Sequence, residues 1–153
     1  MKLETTRFGL VEVDDSRVIH FPKGLLGFAA HRDYVLIESA DSARPGDRSY
    51  FWWLQSVDLP ELAFVVTDPT LFVSSYKVPV HAEQMQGLGL DSIDEAQVFV
   101  IVNKRDQVLT GNLQGPLVIN VGSRLGEQLV LSDRRFTTRV PLMELRVPEM
   151  AVA

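Results

Sequence analysis

Apolar and polar residues alternate along this chain in short runs, the two-residue period of half-buried strands. Residues 2–6 alternate weakly and residues 10–13 clearly, and with residues 18–21, beyond a turn at Asp14-Asp15, they predict a meander of short strands. Pro22-Lys23-Gly24-Leu25-Leu26-Gly27-Phe28 breaks the period. Its proline and glycines suit a turn or one helical turn that lays Leu25, Leu26 and Phe28 on apolar surface. Residues 34–38 predict another strand, and residues 39–49 (SADSARPGDRS) are the most loop-like segment. Residues 50–56 (YFWWLQS) predict a strand with aromatics on both faces, Trp52 and Trp53 pointing opposite ways and at least one of them into the core. Residues 63–67 form a further strand closed by Asp68-Pro69, and residues 70–80 are mixed, with Leu71, Phe72 and Tyr76 as anchors. Pro79 limits ladder pairing there.

Residues 82–88 predict one short helix, stopped by Gly87 and Gly89. Residues 97–103 leave neither face polar, so that strand is expected to be central and covered on both sides. Residues 112–131 (NLQGPLVINVGSRLGEQLVL) predict two strands, 117–121 and 127–131, joined by a bend that Gly122 and Gly126 permit. Asn120, Arg124 and Gln128 lie among apolar neighbours, need partners, and are expected to fix that bend. Residues 136–142 supply a last strand, and residues 146–153, interrupted by Pro148, read as a frayed tail. About ten short strands with turn residues between them and one or two short helices predict an all-β fold. The expected architecture is a single-domain antiparallel β-barrel or barrel-like sandwich over residues 1–145, since closure removes exposed edges.

Composition narrows the chemistry. The chain has 153 residues, 46% hydrophobic and 23% charged, with no cysteine, which excludes disulfides and thiolate chemistry. Met1-Lys2-Leu3-Glu4 lacks an apolar signal core, and no apolar run reaches the ~20 residues of a bilayer span, so a soluble intracellular protein is expected. A net charge of −5 argues against direct phosphate-backbone binding and suits solubility or a basic partner.

No catalytic or metal motif emerges. His20, His31 and His81 lie in separate elements without ligand spacing, and His20 reads as a hydrogen-bonded structural residue. Ser56, Ser74 and Ser75 lack a nucleophile context. Gly87-Leu88-Gly89 reads as a plain turn, and the acidic pairs at Asp14-Asp15 and Asp91/Asp94-Glu95 read as solvated turns. Arg135 and Arg139 are spaced to share one face of an extended segment, where an anion could bind. Together with Asn120 to Gly126 they are compared with a PilZ-type cyclic-dinucleotide barrel. The asparagine motif is one residue too long and precedes the arginines instead of following them. A small-ligand or cyclic-dinucleotide-binding barrel is therefore the alternative reading.

Essentially the whole chain to Leu142 resembles the bacterial flagellar assembly factor FliW family. The resemblance rests on Gly24-Leu25-x-Gly27-Phe28, Leu54-Gln55-Ser56, Phe64, Asp68-Pro69, Tyr76 and Leu88-Gly89-Leu90. It continues through Asn112-Leu113-x-x-Pro116-Leu117-Val118-Ile119-Asn120, then Gly126-x-Gln128-x-x-Leu131, then Phe136 and Arg139. Asn112, Pro116, Asn120, Arg124, Gly126 and Gln128 are taken as the structural signature. Leu26 stands where the family commonly has proline, Ser75 where an acid often precedes the tyrosine, and Phe136 where tyrosine is usual.

The resemblance implies a non-enzymatic cytoplasmic protein, without cofactor or metal, that binds flagellin before export. When free of flagellin it binds CsrA, a translational regulator, and antagonises repression of flagellin synthesis. Neither nucleic acid nor membrane is an expected direct partner. A hydrophobic groove for a flagellin helix would draw on Leu25, Phe28 and Phe72, which lie in irregular segments. Capture of CsrA would use Asp58, Glu61 and Asp68 near strand ends.

Overall fold

The computed structural model describes residues 1–38 and 50–145. The expected loop 39–49 and tail 146–153 lie outside the described residues. The fold is mostly β. The strands are β1 (Lys2–Thr5), β2 (Gly9–Glu12), β3 (Ile19–His20), β4 (Asp33–Glu38), β5 (Phe51–Ser56) and β6 (Ala63–Thr67). They continue as β7 (Ala96–Arg105), β8 (Val108–Gly111), β9 (Leu117–Asn120), β10 (Gly126–Gln128) and β11 (Val140–Glu144). The single α-helix among the described residues is α1 (Ala82–Leu88), closed by Gly89 in the left-handed conformation.

Strands β1 and β2 form a separate hairpin, and the others make one curled antiparallel sheet in the order β10-β9-β7-β6-β5-β4-β3. Strand β8 joins β7, and β11 joins β8. One parallel bridge between His20 and Leu125 brings the two ends of the sheet together. There the His20 amide donates to the Arg124 carbonyl at 2.9 Å.

Strand β7 is the hub, and its alternation explains the apolar run over residues 98–102. Phe99, with Ile101 packed beside it, enters a core of Ile19, Phe21, Leu25, Tyr34, Leu54, Val66, Leu117 and Ile119. Val100, with Ala96 and Val98, enters a second core of Tyr76, Leu88, Leu90, Leu113, Val118, Leu129 and Leu131. Strand β9 alternates in the same way, and all four of its residues are buried. The expectation of a central, doubly covered strand is met.

Between β8 and β9 the chain departs from β7. Gly111 faces Val102 and Leu117 faces Phe99, so three steps along β7 oppose six along its neighbour. The excess forms a bulge at residues 112–116. The Asn112 carboxamide accepts from the Gly115 amide at 2.9 Å inside it, and the buried Tyr76 hydroxyl donates to the Leu113 carbonyl at 2.6 Å across it.

Several sequence boundaries move. Strand β8 was not anticipated, because VLTG is short and follows a charged turn. Residues 129–131 are not a strand: Leu129 and Leu131 donate to the carbonyls of Pro116 and Gln114, on the bulge instead of a regular ladder. The last strand begins at Val140 because Phe136 is drawn edge-on to Tyr76 at 4.8 Å. Gly122 and Gly126 do not supply a left-handed bend; Arg124 does, at φ 64°. Gly126 is required for another reason, since a Cβ there would stand 2.5 Å from the buried Phe21 ring.

Candidate functional site

The six residues singled out for partner binding fall at the two ends of the β5–β6 hairpin. Strand β6 has five residues. At about 3.3 Å per residue the ends are roughly 17 Å apart.

At the first end, the turn between the strands is fixed from inside. The buried Gln55 side chain donates to the carbonyls of Ser56, Pro60 and Leu62 at 3.1, 3.2 and 3.1 Å. The Ser56 hydroxyl donates to the Asp58 carboxylate at 2.8 Å and accepts from the Leu59 amide at 3.1 Å. His31 Nδ1 lies 3.1 Å from the other Asp58 oxygen. The Ser56 hydroxyl, with His31 beside it, holds the Asp58 carboxyl below the usual range even though its side chain is exposed. Its charge also helps to push the Tyr34 phenol up to about 12, although burial of that ring is the larger cause. Glu61 projects into solvent from the same turn.

The loop that follows Phe21 lies against this end. Gly24, at φ 67°, allows the chain to turn where a Cβ would stand 2.6 Å from the Ala29 backbone. That turn divides the apolar residues. Leu25 is 2% exposed and belongs to the core, which removes it from the expected contact surface. Its neighbour Leu26 is 59% exposed instead, and its amide donates to the Gln128 carboxamide at 2.8 Å. Phe28 presents an exposed face while its edge meets Phe64 at 5.2 Å. Exposed Phe28 thus lies against Phe64 near the start of β6, and His31, three residues on, reaches Asp58. Sequence reasoning missed Leu26, although two adjacent leucines in a tight turn cannot both point inward.

At the second end, the Asp68 carboxylate accepts from the Thr70 amide at 2.9 Å and from its hydroxyl at 2.6 Å, capping a single helical turn over Pro69–Leu71. Gln97 also donates to it at 3.3 Å. Asp68 is thereby tied into the fold and separated from Asp58 and Glu61. Phe72 is half-buried, stacked on Phe51 at 5.9 Å and tilted to Tyr50 at 6.5 Å. Exposed Tyr50 and Leu71 border it.

The signature residues are joints. The Asn120 side chain donates to the carbonyls of Leu88 and Gly89 at 2.8 and 3.3 Å, and accepts from the amides of Gly122 and Ser123 at 2.9 and 3.2 Å. It thus binds α1 to the bend after β9. Gln128 donates to the Gly115 carbonyl at 3.0 Å while it accepts from Leu26. Pro116 is buried, and Arg124 donates to the Arg17 carbonyl at 2.9 Å.

Trp52 packs on Phe99 at 5.5 Å, whereas Trp53 lies on the opposite face under Phe8 and the Arg7 guanidinium. His20 Nδ1 lies 2.6 Å from Asp33. Among the described residues, no group of three or more His, Asp or Glu is placed to hold a metal ion. Arg135 and Arg139 do not share a strand face, because both precede β11. Asp133 also engages Arg135, with contacts at 3.2, 3.2 and 2.8 Å.

Known proteins resemble this chain in sequence, and one solved structure shares its fold. The FliW protein family model matches residues 2–142. A flagellar assembly factor FliW of Natranaerobius thermophilus is 36% identical over 145 residues, covering 93% of this chain and 92% of its own length. The corresponding protein of Leptospira interrogans serogroup Icterohaemorrhagiae serovar Lai is 32% identical over 153 residues, covering 98% of each chain. A crystal structure of the flagellar assembly factor FliW superposes with a TM-score of 0.80 at 28% identity, covering 94% of this chain and 97% of the other. With a family match and full-length relatives that agree with the fold, this chain belongs to the FliW family of flagellar assembly factors.

Proposed function

We propose that this protein is a non-catalytic partner switch of the cytoplasm. It holds flagellin before export and, once flagellin leaves, binds the translational regulator CsrA and relieves repression of flagellin synthesis. Family membership supplies the flagellar context. The observation that carries the reading is the first end of the β5–β6 hairpin. There Asp58 and Glu61 stand on a turn that Gln55 and Ser56 hold in place, with His31 against Asp58 and exposed Phe28 against Phe64 of the adjoining strand. A preformed acidic turn suits a basic RNA-binding partner, because opposite potentials speed encounter and the ordering cost is already met. Apolar side chains beside it suit the face of an amphipathic flagellin helix. At the second end, Phe72 with Tyr50 and Leu71 offers another apolar surface, and Asp68 acts there as a cap.

The test is a double charge reversal, Asp58→Lys with Glu61→Lys, read as CsrA affinity across salt concentrations. The expected result is a loss of roughly tenfold or more at low salt that shrinks as salt rises. Unchanged affinity at every salt concentration removes this surface from the CsrA contact. Capture from native cytoplasm of neither flagellin nor CsrA overturns the switch itself.

A further inference from the structure

An opposite electrostatic feature lies on the β7–β8–β11 extension of the sheet. A cleft of about 300 Å³ is lined by Ile101, Asn103, Lys104, Arg105, Thr110, Asn112, Thr138 and Arg139. Three of these are cations, in a protein whose net charge is −5. Among the described residues, none of Lys104, Arg105 and Arg139 is in an ion pair, whereas Lys23 is held by Glu127 at 2.6 Å and Arg135 by Asp133 at 2.8 Å. By register the acid nearest Arg105 on its own face is Glu144, two strands across, or about 10 Å. Asp106 sits at the hairpin turn beside Arg105.

The polar lining is of matching type. Asn103, Arg105 and Thr110 fall on one face of the β7–β8 pair, the face that carries Ile101 into the barrel core further along β7. Asn112 engages its carbonyl oxygen with Gly115, which leaves its amide hydrogens as donors. The second cleft of similar size, beside Pro22, Lys23, Glu83 and Glu127, by contrast carries two carboxylates to one cation, and its lysine is already paired.

We infer that the cleft bearing Arg105 and Arg139 binds a small multivalent oxyanion, a phosphate ester or a polycarboxylate. Guanidinium groups recognise both through paired N–H donors. The volume lies at the lower end of the range for small-molecule sites, which suits a compact di- or trianion over a polymer backbone. The inference is independent of the partner switch, because the cleft shares no residue with the β5–β6 turns.

The test is calorimetry on the full chain with pyrophosphate, citrate and a short oligoglutamate peptide. It is repeated on Arg105→Ala and Arg139→Ala, with Arg135→Ala as a control whose cation is engaged by Asp133. Saturable binding of pyrophosphate or citrate is expected, weakened roughly tenfold by each cleft substitution and unchanged in the control. Preference between the two anions assigns the ligand to phosphate or carboxylate chemistry. Three results overturn the inference: no saturable binding of either small anion, equal loss in the control, or tighter binding of the oligoglutamate than of both. Thermal unfolding of the cleft variants must match the parent, and Arg139→Lys must restore part of the affinity if charge is what the site supplies.

Discussion

Single side chains at this protein's joints answer for more than their own contacts. Asn120 makes four hydrogen bonds and is 5% exposed, so Asn120→Ala leaves the buried Leu88 carbonyl of α1 unpaired and releases the partly buried amides of the bend. Each orphaned group costs about 1–3 kcal/mol, and chemical denaturation should show a loss of at least that size. Gly126→Ala should cost roughly 1–3 kcal/mol by overpacking, because the Phe21 ring is fully buried and has nowhere to go; an unfolding curve that matches the parent's refutes this. Asp58 gives a sign-specific prediction. Its folded pKa is depressed, so the stability from its Ser56 bond is present above the unfolded value and is lost as pH falls through the folded one. Carboxyl titration by NMR should find Asp58 below the ordinary range, and Ser56→Ala should move it upward. The tyrosines behave oppositely. Burial first, and then the Asp58 charge, raise Tyr34 to about 12, and burial raises Tyr76 as well. Stability is therefore whole below the unfolded value of 10.0 and falls as pH climbs towards the folded one. Tyrosinate absorbance should show Tyr34 silent until the fold is close to opening.

At the scale of elements, alternation made much of the architecture readable. Residues 97–103 could be placed centrally because no face was polar, and the two cores on either side of β7 are the physical content of that pattern. The helix was readable because Gly89 ends it, although Gly87, also expected to stop it, lies within it. Other features depended on contacts between distant segments. Strand β8 is four residues long, and only its pairing with β7 on one side and β11 on the other makes it a strand. The 112–116 bulge follows from a register difference that exists only once β7 is in place. The division of Leu25 from Leu26 was decided by Gly24 and by the Gln128 side chain. Tyr76→Phe tests the bulge as a unit. It removes the hydroxyl bonded to the Leu113 carbonyl and should destabilise by about 1–3 kcal/mol, with the largest rise in amide exchange at residues 112–116.

At the scale of the whole molecule, charge is divided between separate places. The chain is acidic overall, yet unpaired Lys104, Arg105 and Arg139 gather at the β7–β8–β11 extension, while Asp58 and Glu61 mark the β5–β6 turn. Two surfaces of opposite character allow two ligands of opposite charge to be held without rivalry for one patch. Such binding is then salt-sensitive at both places.

The closure between His20 and Leu125 also constrains how the protein is made. The Leu26 amide meets a side chain 102 residues later, and Lys23 meets one 104 residues later. A nascent chain leaving the ribosome therefore carries an open sheet until nearly all of it has been synthesised, and closure is the slow, late step expected of long-range pairing. The exposed Leu26 is anchored only when that step is complete. A chain cut before Gln128 cannot close the sheet through these contacts.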